Sequence, residues 1–193
     1  MRHVSCQTLH SFQYFRSMSI RIVSSSDVHF TAVEQELLFD IMRHAYATTE
    51  IEIWGENYVR ISKEEFVKLI EGGGVLVAYY NDEIAGCVNT FTRSDASAGF
   101  GLLATHRDFT KRGIGSALVR ETEDRAKKSG ATCMDIEILR PRDTEVPGKV
   151  VLQKWYEMMG YEYVYSEDFA IRIPIKAKRL LVPSNFDCYR KVL

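Results

Sequence analysis

The residues best suited to chemistry lie in a short glycine-containing turn in the middle of the chain. Residues 110–116 read Thr-Lys-Arg-Gly-Ile-Gly-Ser, and they connect an apolar strand pattern to a helix pattern. Glycine lets the backbone pass close to a ligand, and the first N–H groups of a helix have no partner within the helix. Those amides and the helix dipole attract anions, and Lys111 and Arg112 add two positive charges. The turn therefore predicts a site for a pyrophosphate group.

The spacing of the turn alone leaves other interpretations open. A tight strand-to-helix connection without a ligand has the same pattern. A P-loop needs Gly-Lys followed by Ser or Thr, whereas Gly113 is followed by Ile114. A dinucleotide-binding turn needs a third glycine where Leu118 stands, although Asp135 does fall about 20 residues after Gly115. A dinucleotide-dependent oxidoreductase therefore stays an alternative, opposed by Leu118 and by the central position of the motif.

The elements that must position this turn follow from hydrophobic periodicity and capping residues. Helices are predicted after capping boxes at Thr31 and Ser62, and also at residues 113–129 and 150–159. Strands are predicted at residues 19–24, 75–80, 83–92, 100–105, 132–139, 161–165, 169–175 and 187–192. No internal repeat or domain linker interrupts this order. The fold class predicted is one mixed α/β domain.

Composition and charge exclude several classes of protein. The chain has 193 residues, 46% of them hydrophobic and 26% charged, which suits one globular domain. Its 25 basic and 26 acidic residues give a net charge of −1, so neither nucleic acid nor an anionic membrane is a predicted partner. No apolar run reaches the ~18 residues of a membrane span. Four dispersed cysteines lack metal-ligand spacing, so no metal is predicted and the thiols are expected to be reduced, inside a cell.

The first 17 residues differ in composition from the rest of the chain. They contain arginine, serine, histidine and aromatic residues but no acid, which is typical of a mitochondrial transit peptide. The alternative is an N-terminal extension, disordered or targeting, in front of a folded domain that starts at Met18. We predict an extension at residues 1–17, a domain at residues 18–193 and a cytoplasmic location, with a mitochondrial one as the alternative.

Two motifs in the same order resemble those of the GNAT acetyltransferase superfamily. The turn at residues 110–116 is similar to the family's Q/R-x-x-G-x-G/A motif after its fourth strand. Residues 155–161 are similar to its Y-x-x-x-G-F signature. The resemblance extends over about residues 20–193. Three positions depart from the family pattern: Thr110 replaces Gln or Arg, Arg107 replaces a common proline, and Lys149 replaces an asparagine that touches coenzyme A.

This resemblance implies a single-domain GNAT-like fold, with a mixed, mostly antiparallel sheet and helices on both faces. It also implies acetyl-CoA as co-substrate and an amine acceptor, either a small molecule or a peptide, for a monomer or homodimer. The residues then expected to bind acetyl-CoA are Leu103, Ala104, Thr105, Lys111, Arg112, Gly113, Ile114, Gly115 and Ser116. Leu103 to Thr105 would pair with pantetheine through their backbones, and the Leu103 N–H would stabilise the oxyanion.

The resemblance assigns Tyr156 as the general acid for the departing thiolate, although a core aromatic residue is the alternative. The acceptor ammonium must lose a proton, and Glu137 is the tentative base. Asp135, on the same strand face, and His106 are further candidates. Either carboxylate can equally belong to a solvated strand face.

Acceptor choice is expected to depend on the last hairpin and on the segment between the first two helices. Aromatic and acidic residues there form either a lining for a cation or a solvated acidic loop, namely Tyr46, Glu50, Glu52, Trp54, Glu56 and Tyr58. The function predicted is acetyl-CoA-dependent N-acetylation of a primary amine. The alternatives are a protein N-terminal or lysine acetyltransferase and a catalytically inactive CoA-binding regulatory module.

Overall fold

The computed structural model describes residues 19–56 and 58–193, and the predicted extension at residues 1–17 lies outside them. Seven strands form one sheet in the order β1-β2-β3-β4-β5-β7-β6. They span Ile20–Ser24 (β1), Val75–Tyr80 (β2), Glu83–Ser94 (β3), Ser97–Thr105 (β4), Cys133–Pro141 (β5), Glu162–Asp168 (β6) and Ser184–Val192 (β7). The helices are Ala32–Thr49 (α1), Ile51–Trp54 (α2), Lys63–Glu71 (α3), Ile114–Lys128 (α4), Pro147–Met158 (α5), Phe169–Arg172 (α6) and Pro174–Ala177 (α7).

Local sequence signals fix several of these boundaries. Both predicted capping boxes are confirmed, with Thr31 and Ser62 accepting hydrogen bonds from the backbone at the start of α1 and α3. The hairpin between β2 and β3 turns at Asn81 and Asp82, whose φ angles are 51° and 70°. Asn and Asp tolerate this left-handed conformation better than most residues do.

The sheet is mixed and mostly antiparallel, and it carries helices on both faces, as predicted. Only β4 and β5 run parallel among the described strands. On one face α4 and α5 pack over a core that includes Phe100, Leu118, Met134 and Tyr161. On the other face α1 and α3 cover a second core, in which Phe66 is fully buried.

One predicted strand is wrong. Residues 169–175 form α6 and α7 instead of a strand, and the edge strand β6 ends at Asp168. The Asp168 side chain accepts a hydrogen bond from the Ala170 N–H at 2.8 Å and so caps α6. Pro174 then begins α7, where it has no N–H to offer a strand partner. Phe169 is buried against Trp54, which explains the apolar pattern of this segment.

Candidate active site

Strands β4 and β5 separate after a short stretch of pairing. Their residues pair from Ser97 with Cys133 to Gly99 with Asp135, although β4 continues to Thr105 and β5 to Pro141. The far half of β4 is therefore bonded to β3 on one side and, within the described part of the chain, has no strand on the other. A backbone edge of this kind can pair with an extended ligand.

A cavity of about 520 Å³ opens where the strands separate, between α1, β4, α4 and α5. Its volume lies within the usual range for small-molecule and cofactor sites. Its lining consists of Ala45, Tyr46, Thr49, Leu103, Ala104, Thr105, Lys111, Gly115, Gly148, Lys149, Val151, Leu152, Trp155 and Tyr156. Five of the nine residues predicted to bind acetyl-CoA are in this set, namely Leu103, Ala104, Thr105, Lys111 and Gly115.

The glycine turn forms one end of the cavity at the start of α4. Gly113 precedes the helix with φ 80°, and no side chain caps the helix N-terminus. The backbone N–H groups of its first turn therefore remain without a helical partner. A Cβ atom built on Gly113 comes no closer than 4.0 Å to Ile20, so the space over the turn is open. Uncapped helix amides of this kind attract anions, and Lys111 and Arg112 are exposed beside them.

Ile114 and Ser116 contribute differently from the exposed part of the turn. The Ile114 side chain is buried in the core, so its backbone N–H is the group left for a ligand. Ser116 is partly buried in the first turn of α4. Gly115 lines the cavity, and a Cβ atom there would approach the Trp155 ring to 3.8 Å. These positions fit a ligand that touches the backbone of the turn.

A β-bulge in β4 lies beside the cavity. Leu102 and Leu103 together face Val88 of β3, and Leu102 has a φ of 51°. Burial raises the pKa of Tyr46, which lines the cavity beside this bulge, to about 12, and the Leu102 backbone acts in the opposite direction. The bulge redirects the following peptide, so that Leu103 lines the cavity.

The comparisons with known proteins agree with this geometry. The model of the GNAT acetyltransferase family matches residues 39–161, which is more than half of the chain. The chain belongs to the GNAT acetyltransferase family. The sequence has no significant match among curated proteins.

Solved structures of low sequence identity share the fold of this GNAT chain. A GNAT acetyltransferase from Elizabethkingia anophelis with acetyl-CoA bound is 16% identical, with a TM-score of 0.61 over 90% of this chain and 98% of its own. An aminoglycoside 6'-N-acetyltransferase complexed with coenzyme A is 16% identical, with a TM-score of 0.66 over 91% and 97%. The ribosomal-protein-alanine N-acetyltransferase from Brucella melitensis is 17% identical, with a TM-score of 0.61 over 91% and 100%.

Tyr156 of this acetyltransferase lies on α5 and is 6% exposed. Its ring packs against Phe100, Trp155 and Tyr161, and it lines the cavity. Burial, with a smaller contribution from Tyr46, raises the pKa of Tyr156 above the usual value. The hydroxyl therefore keeps its proton at physiological pH and is a hydrogen-bond donor rather than an anion.

Glu137, the predicted base, is engaged in ion pairs outside the cavity lining. Its Oε1 accepts hydrogen bonds from Arg93 at 2.5 Å and Arg172 at 2.7 Å. Asp135 is similarly held by Arg190, whose Nε lies 2.6 Å from Oδ1, and by Ser97. The hydrogen bond from Arg190 lowers the pKa of Asp135.

The third candidate base, His106, uses a ring nitrogen for local structure. Its Nδ1 accepts a hydrogen bond from the Asp108 N–H at 3.2 Å. This contact caps the short 3₁₀ turn at Arg107–Phe109 that leads into the glycine turn. None of the three sequence candidates for the base belongs to the cavity lining among the described residues.

Sequence reasoning missed a buried charge cluster at the other end of the cavity. Glu50 is 2% exposed and accepts hydrogen bonds from Lys149 at 2.6 Å, Arg60 at 2.8 Å and the Trp54 indole at 3.0 Å. Burial disfavours the Glu50 anion, but Arg60 and Lys149 outweigh it and hold the pKa of the carboxyl below its usual value. A lysine on the apolar side of α5 was the signal available in the sequence.

The predicted cation lining is mostly internal structure. Trp54 is buried and stacks on Tyr58, with ring centroids 4.1 Å apart. Arg60 covers the Tyr46 ring, with its Cζ atom 4.6 Å from the centroid. Of the predicted aromatic and acidic set, Tyr46 is the member that lines the cavity among the described residues. The cluster around Glu50 thus brings two cations to a segment for which the sequence predicted either a lining for a cation or a solvated acidic loop.

Proposed function

We propose that the protein is an N-acetyltransferase that moves an acetyl group from acetyl-CoA to a primary amine by direct attack on the thioester. The observation that carries this proposal is the cavity at the separated ends of β4 and β5, closed at one end by the uncapped start of α4. This arrangement offers a backbone edge and an anion cradle to one extended, phosphate-bearing ligand.

The residues present fit acetyl-CoA. The pyrophosphate would lie on the first-turn amides of residues 113–116, with Lys111 and Arg112 beside them. The pantetheine amides would pair with Leu103 to Thr105, on the side of β4 that β5 leaves open. Thr110 does not weaken this role, because its position contributes mainly through the backbone.

The chemical step forms a C–N bond and breaks the C–S bond of the thioester. The amine attacks the carbonyl carbon, and negative charge develops on the carbonyl oxygen. The Leu103 N–H, next to the bulge, is the donor that we assign to this oxyanion. The thiolate then leaves with the electron pair of the C–S bond, and it needs a proton or a strong hydrogen bond.

Tyr156 is the group that we assign to the departing thiolate. Because burial raises its pKa, complete proton transfer to a thiolate is less favourable than it would be from an exposed tyrosine. Tyr156 is therefore expected to stabilise the thiolate first as a short hydrogen-bond donor. As the amide forms, the attacking nitrogen loses a proton and the coenzyme A thiolate gains one, so that Tyr156, the positioned donor, ends the step protonated.

The acceptor ammonium must also pass a proton to a base before it can attack. Glu137 stays the predicted base, but both of its arginine partners favour a structural carboxylate. Proton loss is required before attack, because a free alkylamine has a pKa of about 10. We therefore expect the rate to rise with pH whichever group removes the proton.

Release of free thiol from acetyl-CoA tests the proposed function. The full chain is incubated with acetyl-CoA and a panel of amines, amino acids and peptides, and the acetylated product is identified by mass spectrometry. Amine-dependent thiol release with an N-acetyl product is the expected result. Tight binding of acetyl-CoA without turnover on any acceptor would instead indicate a CoA-binding module.

A further inference from the structure

The end of the cavity between α1 and α5 holds more positive than negative charge. Glu50 is the one buried carboxylate there among the described residues, and both Lys149 and Arg60 donate to it. Glu52 is the other carboxylate that acts on Lys149, and it is exposed on α2, where water screens it. With Lys149 in its ammonium form, the three paired groups sum to one positive charge beside the cavity.

Lys149 has donors left over for a ligand. An ammonium group has three N–H donors, and the hydrogen bond that Lys149 makes within the described residues goes to Glu50 Oε1. Glu50 also accepts from Trp54 and Arg60, so its oxygens are already shared among several donors. Lys149 is 5% exposed and lines the cavity. A buried cation with unused donors is stabilised by an acceptor that enters from the cavity.

This excess charge lies away from the predicted phosphate end. The start of α4 approaches the C-terminal half of α5, where Gly115 faces Trp155. Lys149 lies in the first turn of α5, and its six-residue separation from Trp155 corresponds to a rise of about 9 Å along the helix. Lys149 instead contacts Glu50, directly after α1, where the acceptor is expected. The anion that it would hold is therefore a different one from the pyrophosphate.

We propose that this end of the cavity binds a carboxylate carried by the amine acceptor, with Lys149 as its hydrogen-bond donor and Arg60 as the second positive charge. This inference rests on the proposed N-acetyltransferase function and narrows its substrate class. The carboxylate belongs either to a free amino acid or to an acidic residue near the amine of a peptide. A polyamine is disfavoured, because its second ammonium would meet the same uncompensated charge.

Burial lowers the pKa of Lys149, Glu50 acts in the opposite direction, and Arg60 adds repulsion. A carboxylate in the cavity would counter both burial and the repulsion from Arg60. Binding of the acceptor is therefore expected to favour the ammonium form of Lys149. A neutral amide in the same place would accept a hydrogen bond but leave the excess charge in place.

Matched sets of acceptors test the proposal on the native chain. Each set contains an amino acid, its carboxamide and the amine that lacks the carboxyl group, and a second series lengthens the spacing between amine and carboxylate. Peptides with Asp or Asn beside the free amine distinguish a peptide source from a free amino acid. We expect kcat/KM to be about 10–100-fold higher for the best carboxylate than for its matched amide. Equal values for amide and carboxylate, with clear turnover, would overturn the proposal while leaving the acetyltransferase function intact.

Calorimetry on the complex with coenzyme A makes the test independent of turnover. Carboxylate-bearing amines are expected to bind this complex more tightly than their amides. If no member of the panel is acetylated, such binding still supports the carboxylate site and the proposed function alone fails. If the carboxylates show no advantage in binding, the proposal fails whether or not turnover occurs.

Two variants locate the effect. Lys149→Gln leaves Glu50 with Arg60 as a balanced pair, so the chain is expected to fold. The ratio of kcat/KM for the carboxylate to kcat/KM for its matched amide should fall towards one. Arg60→Gln leaves Glu50 with Lys149 and should reduce the preference in part. A Lys149→Gln chain that keeps the preference would contradict the assignment. A Lys149→Gln chain that loses affinity for coenzyme A tenfold, with an unchanged preference for carboxylate, would also contradict it, because Lys149 would then bind the cofactor.

Discussion

Lys149 donates a hydrogen bond to Glu50 across 2.6 Å, and this contact ties the first turn of α5 to the end of α1. Both side chains are almost completely buried, at 6% and 2% exposed. The two helices form opposite walls of the cavity, so the ion pair fixes the position of one wall relative to the other. Because buried charges are costly when a partner is removed, the pair makes a strong prediction for stability.

Glu50→Gln is expected to reduce the free energy of unfolding by about 3–5 kcal/mol, because the buried Lys149 and the partly buried Arg60 lose their common carboxylate. Urea denaturation followed by circular dichroism measures the loss. Glu52→Gln, on the exposed side of the neighbouring helix, is the matched control and should change stability by about 0.5 kcal/mol or less. Equal effects of the two substitutions would show that the cluster does not stabilise the fold.

Tyr156→Phe is expected to lower kcat by about 10²–10⁴-fold and to leave the affinity for acetyl-CoA nearly unchanged, because the ring remains and the proton donor is lost. Steady-state kinetics and calorimetry measure the two quantities. Tyr161→Phe is the control, since this neighbouring phenol donates to Glu123 at 2.8 Å. It should lose stability and keep its turnover. A native kcat in Tyr156→Phe would mean that a group other than Tyr156 donates to the departing thiolate.

Glu137→Gln is expected to keep most of the turnover and to lose stability, because Arg93 and Arg172 lose the carboxylate between them. The pH–rate profile of the variant, compared with the native profile, distinguishes this role from a base. If Glu137 were the base, its loss would lower the kcat of the variant at all pH values below the pH optimum of the native enzyme. A loss of two orders of magnitude in kcat with an unchanged melting temperature would restore Glu137 as the base.

The sequence was sufficient for features that depend on neighbouring residues. The glycine turn, both capping boxes and the break between the strands predicted at residues 75–80 and 83–92 are local, and each was predicted at the position where it occurs. The Glu50–Lys149 pair joins residues 99 positions apart, so only the tertiary packing brings it together. The strand predicted at residues 169–175 failed because short apolar runs do not distinguish a strand from a packed helical turn.

Stability is expected to fall in acid partly through Asp135. Hydrogen bonds from Arg190 lower the pKa of this carboxyl in the folded chain, so the unfolded chain binds its proton more tightly. The contribution is complete above the unfolded value of about 3.9 and disappears as the pH falls through the lowered folded value. Urea denaturation at pH 7, 5, 4 and 3 measures it.

Asp135→Asn should be less stable than the native chain at pH 7 and should show a weaker dependence on pH below about 5. Asp95→Asn, at an exposed position in the turn between β3 and β4, is the matched control and should follow the native curve. If Asp135→Asn also follows the native curve, the contact with Arg190 contributes nothing to acid sensitivity.

The central claim, that acetyl-CoA binds with its pyrophosphate on the start of α4, is tested most directly by calorimetry on two glycine variants. Gly113 and Gly130 flank the same helix with φ angles of 80° and 93°, and a Cβ atom has open space at both. An aspartate at either position therefore meets the same backbone strain, of about 1–2 kcal/mol. Only Gly113→Asp places a negative charge in the anion cradle. We expect Gly113→Asp to abolish measurable acetyl-CoA binding and Gly130→Asp to bind like the native chain. Native affinity in Gly113→Asp, or binding of NADH but not acetyl-CoA by the native chain, would contradict it.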